Sequence, residues 1–562
     1  MPKVQQPAAK QRKPIDLLQT AVPQPNQSST RNLLRFNLLL LFSVAAIWTV
    51  ELWYMQHLSM PNQHSGGPRF DLWAPKIRFA LDAFFAGTLV FLLPRPLLVV
   101  AWVVSYIASV GLIAYAHFFN ASLSILTMLN GWREAVMMAG NMLEWLPKGP
   151  MMILTTTFLA KCVLLWCVGD GRISRTSRWR TGLICLLGYA MLFYATTWVS
   201  PLNKIANKQG VGRVGRIRGY LGPWAAELYY LNNPRLLAGA IARVSYKSDQ
   251  LTPIEYPIAI RDHLVIIQAE SLDYNLIGFK FNGREVTPFL NQLRNNALYY
   301  KARAYHRLGS ADADFTMLLG GPPATNVLNY SIPGFPYDNA LPHFLASYGF
   351  TSRAFHGNYA SFYRRRDAFV QMGFTELLFR RDLEAAYPVT LDDLGIKDAD
   401  VFNISSLLLR QSTGRQCHFI ITLTSHTPYQ FVTPDETYPV PQPRNVVERY
   451  MNHAHYLDRC LRDYVTSLGA NATVFIYGDH PTEVRDSTFS PCVETGIKYV
   501  PVFICDTSTD LAALQKTRSN NSGIATDGTF SMIDLSTFLR NRVTSTFQES
   551  TQKTSSLNES SK

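Results

Sequence analysis

No two of the four cysteines beyond residue 400 have the spacing of a metal site, and only seven cysteines occur in all, so a cysteine-built zinc module does not organise that part of the chain. Cys162, Cys167 and Cys185 fall in apolar runs and read as small filler. Cys417, Cys460, Cys492 and Cys505 lie further on, where an oxidising compartment permits one or two disulfides without the sequence choosing the pairing. The first 30 residues lack the apolar core of a cleavable signal peptide. Their Gln, Pro and Ser content makes 1–30 an expected disordered tail, and 544–562, rich in Ser, Thr and Gln, a second one. No repeat of solenoid period is present. The net charge of +13 is scattered over membrane flanks and a mixed-charge domain, which indicates anionic lipid and not nucleic acid as the partner.

What the chain does have is an uneven distribution of its 47% hydrophobic residues, which pile up before residue 200. A hydrocarbon core of about 30 Å needs about 20 mostly apolar residues to cross it. Five stretches qualify, near Leu33 to Tyr54, Ile77 to Leu93, Leu97 to Phe119, Met151 to Gly169 and Thr181 to Val199. The second is short and contains Asp82, so a buried or re-entrant helix is its alternative. The fold class expected is an N-terminal α-helical transmembrane bundle over 31–200, an interfacial linker over 201–255, and a C-terminal α/β domain over 256–543.

Orientation follows from basic loops, which resist translocation. Lys10, Arg12, Lys13, Arg31 and Arg35 precede the first span, and Arg172, Arg175, Arg178 and Arg180 lie between the fourth and fifth. Both segments belong in the cytoplasm, which places the C-terminal domain outside. Lys204, Lys208, Arg213, Arg216 and Arg218 oppose this, and are expected to rest on anionic headgroups beside Tyr220, Trp224, Tyr229 and Tyr230.

The C-terminal part reads as buried strands ending in polar residues. Leu264 to Gln268 runs into Glu270, His418 to Leu423 into Ser425 and His426, and Val474 to Tyr477 into Asp479 and His480, with Val500 to Ile504 a further core strand. Helical patterns over Pro288 to Asn296, Leu341 to Tyr348 and Val446 to Leu468 alternate with them. Such alternation argues for an open, mainly parallel sheet whose ligands bind beyond the carboxyl ends of the strands. Glu270, His426, Asp479 and His480 therefore converge on one edge. A carboxylate from the first strand and an Asp-His pair from a late one form an oxygen and nitrogen set suited to one divalent ion, Mn²⁺, Mg²⁺ or Zn²⁺.

Gly309-Ser310-Ala311-Asp312-Ala313-Asp314-Phe315 offers a nucleophile at the start of a predicted helix. A serine hydroxyl is weak at neutral pH, but a divalent cation stabilises its alkoxide and a helix N-terminus favours a bound phosphate. The same pattern also serves as a plain helix N-cap followed by first-turn acids.

The order Gln268-Ala269-Glu270-Ser271-Leu272, Gly309 to Phe315, His356-Gly357-Asn358 with Ser361-Phe362-Tyr363, Leu423 to Tyr429, and Tyr477-Gly478-Asp479-His480 resembles the lipoteichoic acid synthase family. That family has five spans before an extracellular sulfatase-like, alkaline-phosphatase-superfamily fold, and the likeness covers roughly residues 33 to 540. The resemblance implies a bacterial, multi-pass plasma-membrane phosphoglycerol transferase with its catalytic domain extracytoplasmic and Mn²⁺ as the first choice of metal. Ser310 matches the metal-bound nucleophile, and Glu270, Asp479 and His480 match the metal ligands. His426 and His356 match residues near the transferred phosphoryl group, while Tyr363 and Arg365 match a tryptophan and an arginine of the headgroup pocket. Serine here replaces threonine, Asn358 replaces aspartate, and the arginine sits within Arg364-Arg365-Arg366.

The implied reaction is transfer from a phospholipid donor to a glycan or polymer acceptor through a covalent phosphoserine ester. Three consecutive arginines favour a phosphoglycerol over an ammonium-bearing phosphoethanolamine headgroup. A phosphoethanolamine transferase shares the metal and nucleophile and stays open as an alternative, as do a phosphodiesterase and a non-enzymatic envelope protein. A sulfatase needs a C/S-x-P-x-R setting, which Ser310-Ala311-Asp312-Ala313-Asp314 does not supply.

Overall fold

A computed structural model describes residues 27–59, 74–119, 123, 125, 128, 146–168, 175–199, 218–232, 258–306, 309–323, 328–332, 335–392, 394–427, 429–430, 438–507 and 530–560. The five apolar stretches of the sequence all become helices: α1 (Gln27–Ser59), α2 (Ala74–Leu92), α3 (Arg95–Phe119), α4 (Lys148–Cys167) and α5 (Arg175–Val199). Three of them, over Arg31–Ser59, Arg95–Ala116 and Lys148–Cys167, are long and apolar enough to cross a membrane. The other two are α2, with Lys76, Arg78 and Asp82 within 19 residues, and α5, which opens on Arg175, Arg178 and Arg180. They pack on each other, and α2 also packs on α1, whose Val44, Trp48 and Leu52 face the bundle interior. Inside, Lys161 meets Glu51 at 2.5 Å with the Trp48 and Trp102 rings 5.5 Å away, so both charges are paired and turned from lipid.

The segment after α5 behaves differently from a surface linker where it is described. Arg218 is not on headgroups but buried, 5.0 Å over the Phe193 ring of α5. Tyr220 is buried too: its N–H donates to Asp82 at 2.7 Å and its hydroxyl meets Ser109 at 3.1 Å. Gly219 makes this entry possible, because it adopts φ +76° and a Cβ there would crowd Asp82. Helix α6 (Gly222–Leu231) follows, and Trp224 leans on Tyr220. Residues 201–217 and 233–257 of the expected linker lie outside the described residues, as do 1–26 of the expected N-terminal tail.

The C-terminal domain is built from strands β1 (His263–Ala269), β2 (Lys280–Phe281), β3 (Arg284–Glu285), β4 (Leu298–Arg303), β5 (Thr351–His356), β6 (Glu376–Phe379), β7 (Gln416–Ile421), β8 (Ala472–Gly478), β9 (Val493–Glu494) and β10 (Ile497–Asp506). Its helices are α7 (Pro288–Asn296), α8 (Ala311–Leu319), α9 (Leu341–Ala346), α10 (Arg365–Gln371), α11 (Arg380–Ala386), α12 (Asp398–Gln411), α13 (Val446–Ser467) and α14 (Met532–Ser560). The main sheet runs β4-β10-β8-β1-β7-β5-β6, with β9 paired to β10. The five strands from β8 to β6 are parallel, and β10 is antiparallel to both its neighbours. Burial on both faces explains why β1 (HLVIIQA) and β8 (ATVFIYG) read as continuous apolar runs. One core cluster lies on each face.

Register sets the height of every strand end. Ala269 pairs with Gly478, Gln268 with Ile421, and Ile421 with His356. Glu270, Asp479, Thr422 and Gly357 therefore leave the sheet at one level. The segment expected to be a disordered C-terminal tail instead continues α14: Thr544 meets Tyr348 at 3.1 Å, Thr546 accepts from Ile260 N–H at 3.1 Å, and Phe547 lies under the Arg415 guanidinium. Those contacts order it against the domain up to Phe547. The four cysteines of this domain are free and buried, so no disulfide staples it.

Candidate active site

Glu270, Asp479 and His480 are buried together, and one ligand atom from each lies within 4.8 Å of the others. Their orientation is fixed from the backbone. Asp479 Oδ1 accepts from the N–H groups of Ser271 and His480, both at 2.8 Å, which aims Oδ2 into the site. That Oδ2 is buried with no hydrogen-bond partner, and His480 Nε2 lies 3.6 Å from it. Glu270 Oε1 lies 3.3 Å from the same nitrogen. The turn that carries Glu270 is strained: Ser271 adopts φ +53°, a left-handed conformation that costs a residue with a side chain.

Each histidine of the site turns the same atom inward. His480 Nδ1 donates to Pro481 O at 2.8 Å, His426 Nδ1 to Thr427 O at 2.7 Å and His356 Nδ1 to Ile421 O at 2.9 Å. A carbonyl oxygen only accepts, so each Nδ1 keeps a proton and Nε2 is the nitrogen whose lone pair can serve a ligand once it carries none. An unpartnered buried carboxylate oxygen, a second carboxylate and an imidazole lone pair form a donor set that fits one divalent cation.

Electrostatics agree with that fit. Burial by itself would raise Glu270, but the rings of His426 and His480 hold its carboxyl below the ordinary range, while burial and the Glu270 charge push Asp479 above it. Burial would lower His480, yet Asp479 and Glu270 carry it up to about 9. Without a cation, His480 therefore holds a proton that metal binding must displace. The apparent affinity for Mn²⁺ is expected to rise about tenfold per pH unit between about pH 6 and 8. Calorimetric titrations in buffers of different ionisation enthalpy would count the proton released. An affinity independent of pH over that range would contradict the assignment of His480 as a ligand.

Ser310 does not cap α8. It is already helical (φ −58°, ψ −21°) and makes no side-chain cap bond; its hydroxyl donates to Glu270 Oε2 at 3.1 Å. Gln268 holds it there, donating to Ser310 O at 3.2 Å while accepting from the Tyr477 hydroxyl at 2.8 Å. Gly309 adopts φ +120°, and a Cβ there would overlap the Tyr363 hydroxyl, so only glycine lets the ring cover the serine's approach.

The three arginines separate. Arg365 is buried and donates to Asp314 at 2.7 Å, with its guanidinium 5.1 Å from the centre of the Tyr363 ring. Arg364 pairs with Asp367 at 2.9 Å and Arg366 with Asp382 at 2.6 Å, both partly exposed. Tyr363 and Arg364 adopt φ +55° and +58°, and this double left-handed turn sends the flanking guanidiniums outward. Of the three arginines expected to oppose an ammonium headgroup, Arg365 alone is buried, and Asp314 neutralises it. His356 sits near Arg365, its pKa lowered to about 3 by burial and that charge. Asn358 stays local, its side-chain oxygen accepting from Tyr359 N–H at 2.7 Å.

Three supporting residues were missed in the sequence: Gln268, Asp398 and His306. Asp398 accepts from Leu423 N–H at 2.7 Å and Thr424 N–H at 3.0 Å, which shapes the turn that carries His426. His306 packs against His480 at a tilt, with ring centroids 3.9 Å apart. A Gln inside the first strand motif was the one legible signal among them.

The sulfatase family model matches residues 262–525, which span the strands that carry this site. The domain belongs to the alkaline-phosphatase/sulfatase superfamily. Lipoteichoic acid synthase of Staphylococcus saprophyticus is 28% identical over 288 residues, 46% of this chain and 44% of that protein. Its Staphylococcus aureus counterpart is 28% identical over 292 residues, with the same shares. The chain thus spans less than half the length of the curated relatives it matches. A solved integral membrane lipooligosaccharide phosphoethanolamine transferase from Neisseria meningitidis aligns over 88% of this chain and 93% of its own, with a TM-score of 0.52 and 14% identity. That likeness shows the fold, helical bundle included. The sulfatase-fold domain here has its candidate site at the carboxyl edge of the sheet, as open parallel sheets require.

Proposed function

We propose that this protein is a membrane-anchored phosphotransferase that moves a phosphoglycerol group from a phospholipid, phosphatidylglycerol, to an envelope glycan or polymer hydroxyl. One observation carries the reading: the Ser310 hydroxyl is held on the Glu270 carboxylate at the rim of a three-residue metal-type cluster instead of capping its helix. A bound divalent cation would stabilise the serine alkoxide and offset charge on the phosphoryl oxygens. Glu270, Asp479 and His480 would hold it. Ser310 attacks the phosphodiester phosphorus, the bond to the diacylglycerol oxygen breaks, and diacylglycerol leaves into the bilayer. An acceptor hydroxyl then displaces Ser310. His426 Nε2 is free to hold the proton that the leaving or entering oxygen exchanges, and His356, neutral with its proton on Nδ1, can only accept at Nε2 beside it. Apolar helices keep the site at the surface where such a donor resides.

Phosphoglycerol is supported by the unpartnered, buried Nη2 of Arg365, a donor suited to glycerol or phosphate oxygens. The curated relatives named lipoteichoic acid synthase point the same way. A phosphoethanolamine donor is the second reading, because Asp314 neutralises Arg365 and leaves one carboxylate oxygen unpartnered. Incubation with labelled phosphatidylglycerol and phosphatidylethanolamine decides between them by the diacylglycerol released. Faster release from phosphatidylethanolamine would defeat the phosphoglycerol reading, and release from neither would defeat both.

The lipid-donor reading also requires the catalytic domain on the outer side. A reporter fused after Lys562 is expected to be extracytoplasmic, and a cysteine placed between Arg172 and Arg175 to react only with reagents that reach the cytoplasm. A cytoplasmic C-terminal reporter would overturn the mechanism as written.

A further inference from the structure

We infer that His306 is a positioning residue that fixes the ring of His480 for cation binding, and that Lys498 and Glu483 lock it in place. The inference rests on the metal-dependent reading of the site. On the side away from the two carboxylates that would share the cation, His480 is anchored by the Nδ1 bond to Pro481 O at 2.8 Å. A single bond next to the backbone leaves the plane of an imidazole free to tilt, and metal affinity depends on where its lone pair points. The His306 ring supplies the missing restraint, lying against the face of His480 at 3.9 Å between centroids and an interplanar angle of 35°.

His306 is itself held by a closed circuit. Its Nδ1 accepts from the Lys498 ammonium at 3.4 Å, and that ammonium also donates to Glu483 at 2.5 Å. Glu483 lies three residues beyond His480 on the same loop after β8, so the chain of contacts returns to the residue it orients. The backbone closes the other side: Ala304 N–H donates to Lys498 O at 2.9 Å, extending the pairing of β4 with β10 by one step towards His306. An ammonium only donates, so the His306 proton resides on Nε2 and neither ring nitrogen offers a lone pair to a cation. The neighbouring Lys498 charge further excludes a second cation there. His306 therefore acts through His480 and not as a ligand.

Mn²⁺ affinity of the full-length protein in detergent, measured by calorimetry and by the electron paramagnetic resonance of free Mn²⁺, tests this. His306→Ala is expected to weaken Mn²⁺ binding about 10- to 100-fold, the loss typical of removing a residue that orients a ligand. The unfolding midpoint in metal-free buffer should stay near that of the parent. His306→Phe, which keeps a flat ring against His480, should recover most of the affinity, a rescue that a merely structural role would not track. Lys498→Met should give a smaller loss, because Lys498 and Glu483 are partly exposed and their attraction is screened. Should His306→Ala fail to fold, His306→Phe and Lys498→Met still carry the comparison. Affinity of His306→Ala within about twofold of the parent, or equal weakening by Phe and Ala, would overturn the inference while leaving the metal site standing. A parent protein that binds no divalent cation would overturn the site and the inference together.

Discussion

Ser310→Ala is expected to abolish phosphoryl transfer, with a loss of at least about 10⁴-fold in turnover, while the protein still binds a divalent cation. The size follows from what the hydroxyl does. In a two-step transfer the covalent ester forms on that oxygen, which the Glu270 carboxylate holds at the rim of the cluster. Cation binding should persist because Glu270, Asp479 and His480 are untouched. Removing the hydroxyl should also cost little stability, since Ser310 Oγ makes no cap bond to α8 and its backbone stays tied to Gln268. The measurements are release of labelled diacylglycerol and Mn²⁺ affinity on the same preparation. Turnover near the parental rate would remove Ser310 from the mechanism. Loss of cation binding along with turnover would show instead that the serine oxygen is a principal ligand.

The parts of this site that could be read in the sequence are those that strand ends determine. Glu270 and the Asp479-His480 pair each follow an apolar run that can only be a buried strand, and parallel registry then brings them to one level. The existence and place of the five N-terminal helices were legible for the same reason, because length and apolar content decide them. Positions that depend on a local reversal of the backbone were not legible. Tyr363 and Arg364 look like an ordinary helix start, yet their positive φ values turn two of three arginines to solvent and bury the third against Asp314. Arg218 and Tyr220 look like headgroup anchors. They fold into the bundle because Gly219 tolerates a conformation and a closeness that any other residue would resist. Composition also misreads the C-terminal end, where a handful of contacts from Thr544, Thr546 and Phe547 suffice to dock a polar helix. The common cause is that side-chain direction in such places is set by contacts distant in sequence.

Asp479→Asn should weaken cation binding more than about 100-fold and remove activity with it, yet leave the fold intact, and Asp479→Ala should do the first without the second. The two oxygens of Asp479 have separate tasks. Oδ1 receives the N–H groups of Ser271 and His480, and an asparagine oxygen can take over both bonds. Oδ2 is the buried oxygen without a hydrogen-bond partner, and in asparagine it becomes an NH₂ group beside His480 Nε2 and within the cluster shared with Glu270. A donor in that place cannot bind a cation, and it satisfies the carboxylate that the cation would otherwise neutralise. In metal-free buffer the asparagine variant also relieves the repulsion that burial forces on Glu270 and Asp479, so its unfolding midpoint should match or exceed that of the parent. Alanine has no oxygen for the two N–H groups, and each buried donor left unsatisfied costs about 1–3 kcal/mol. Its midpoint should fall by several degrees where that of asparagine does not. Calorimetric Mn²⁺ titration and thermal unfolding of both variants, with and without chelator, separate these effects. An asparagine variant that binds Mn²⁺ as tightly as the parent would exclude Asp479 as a ligand, and equal destabilisation by Asn and Ala would show that Oδ1 does not hold the turn.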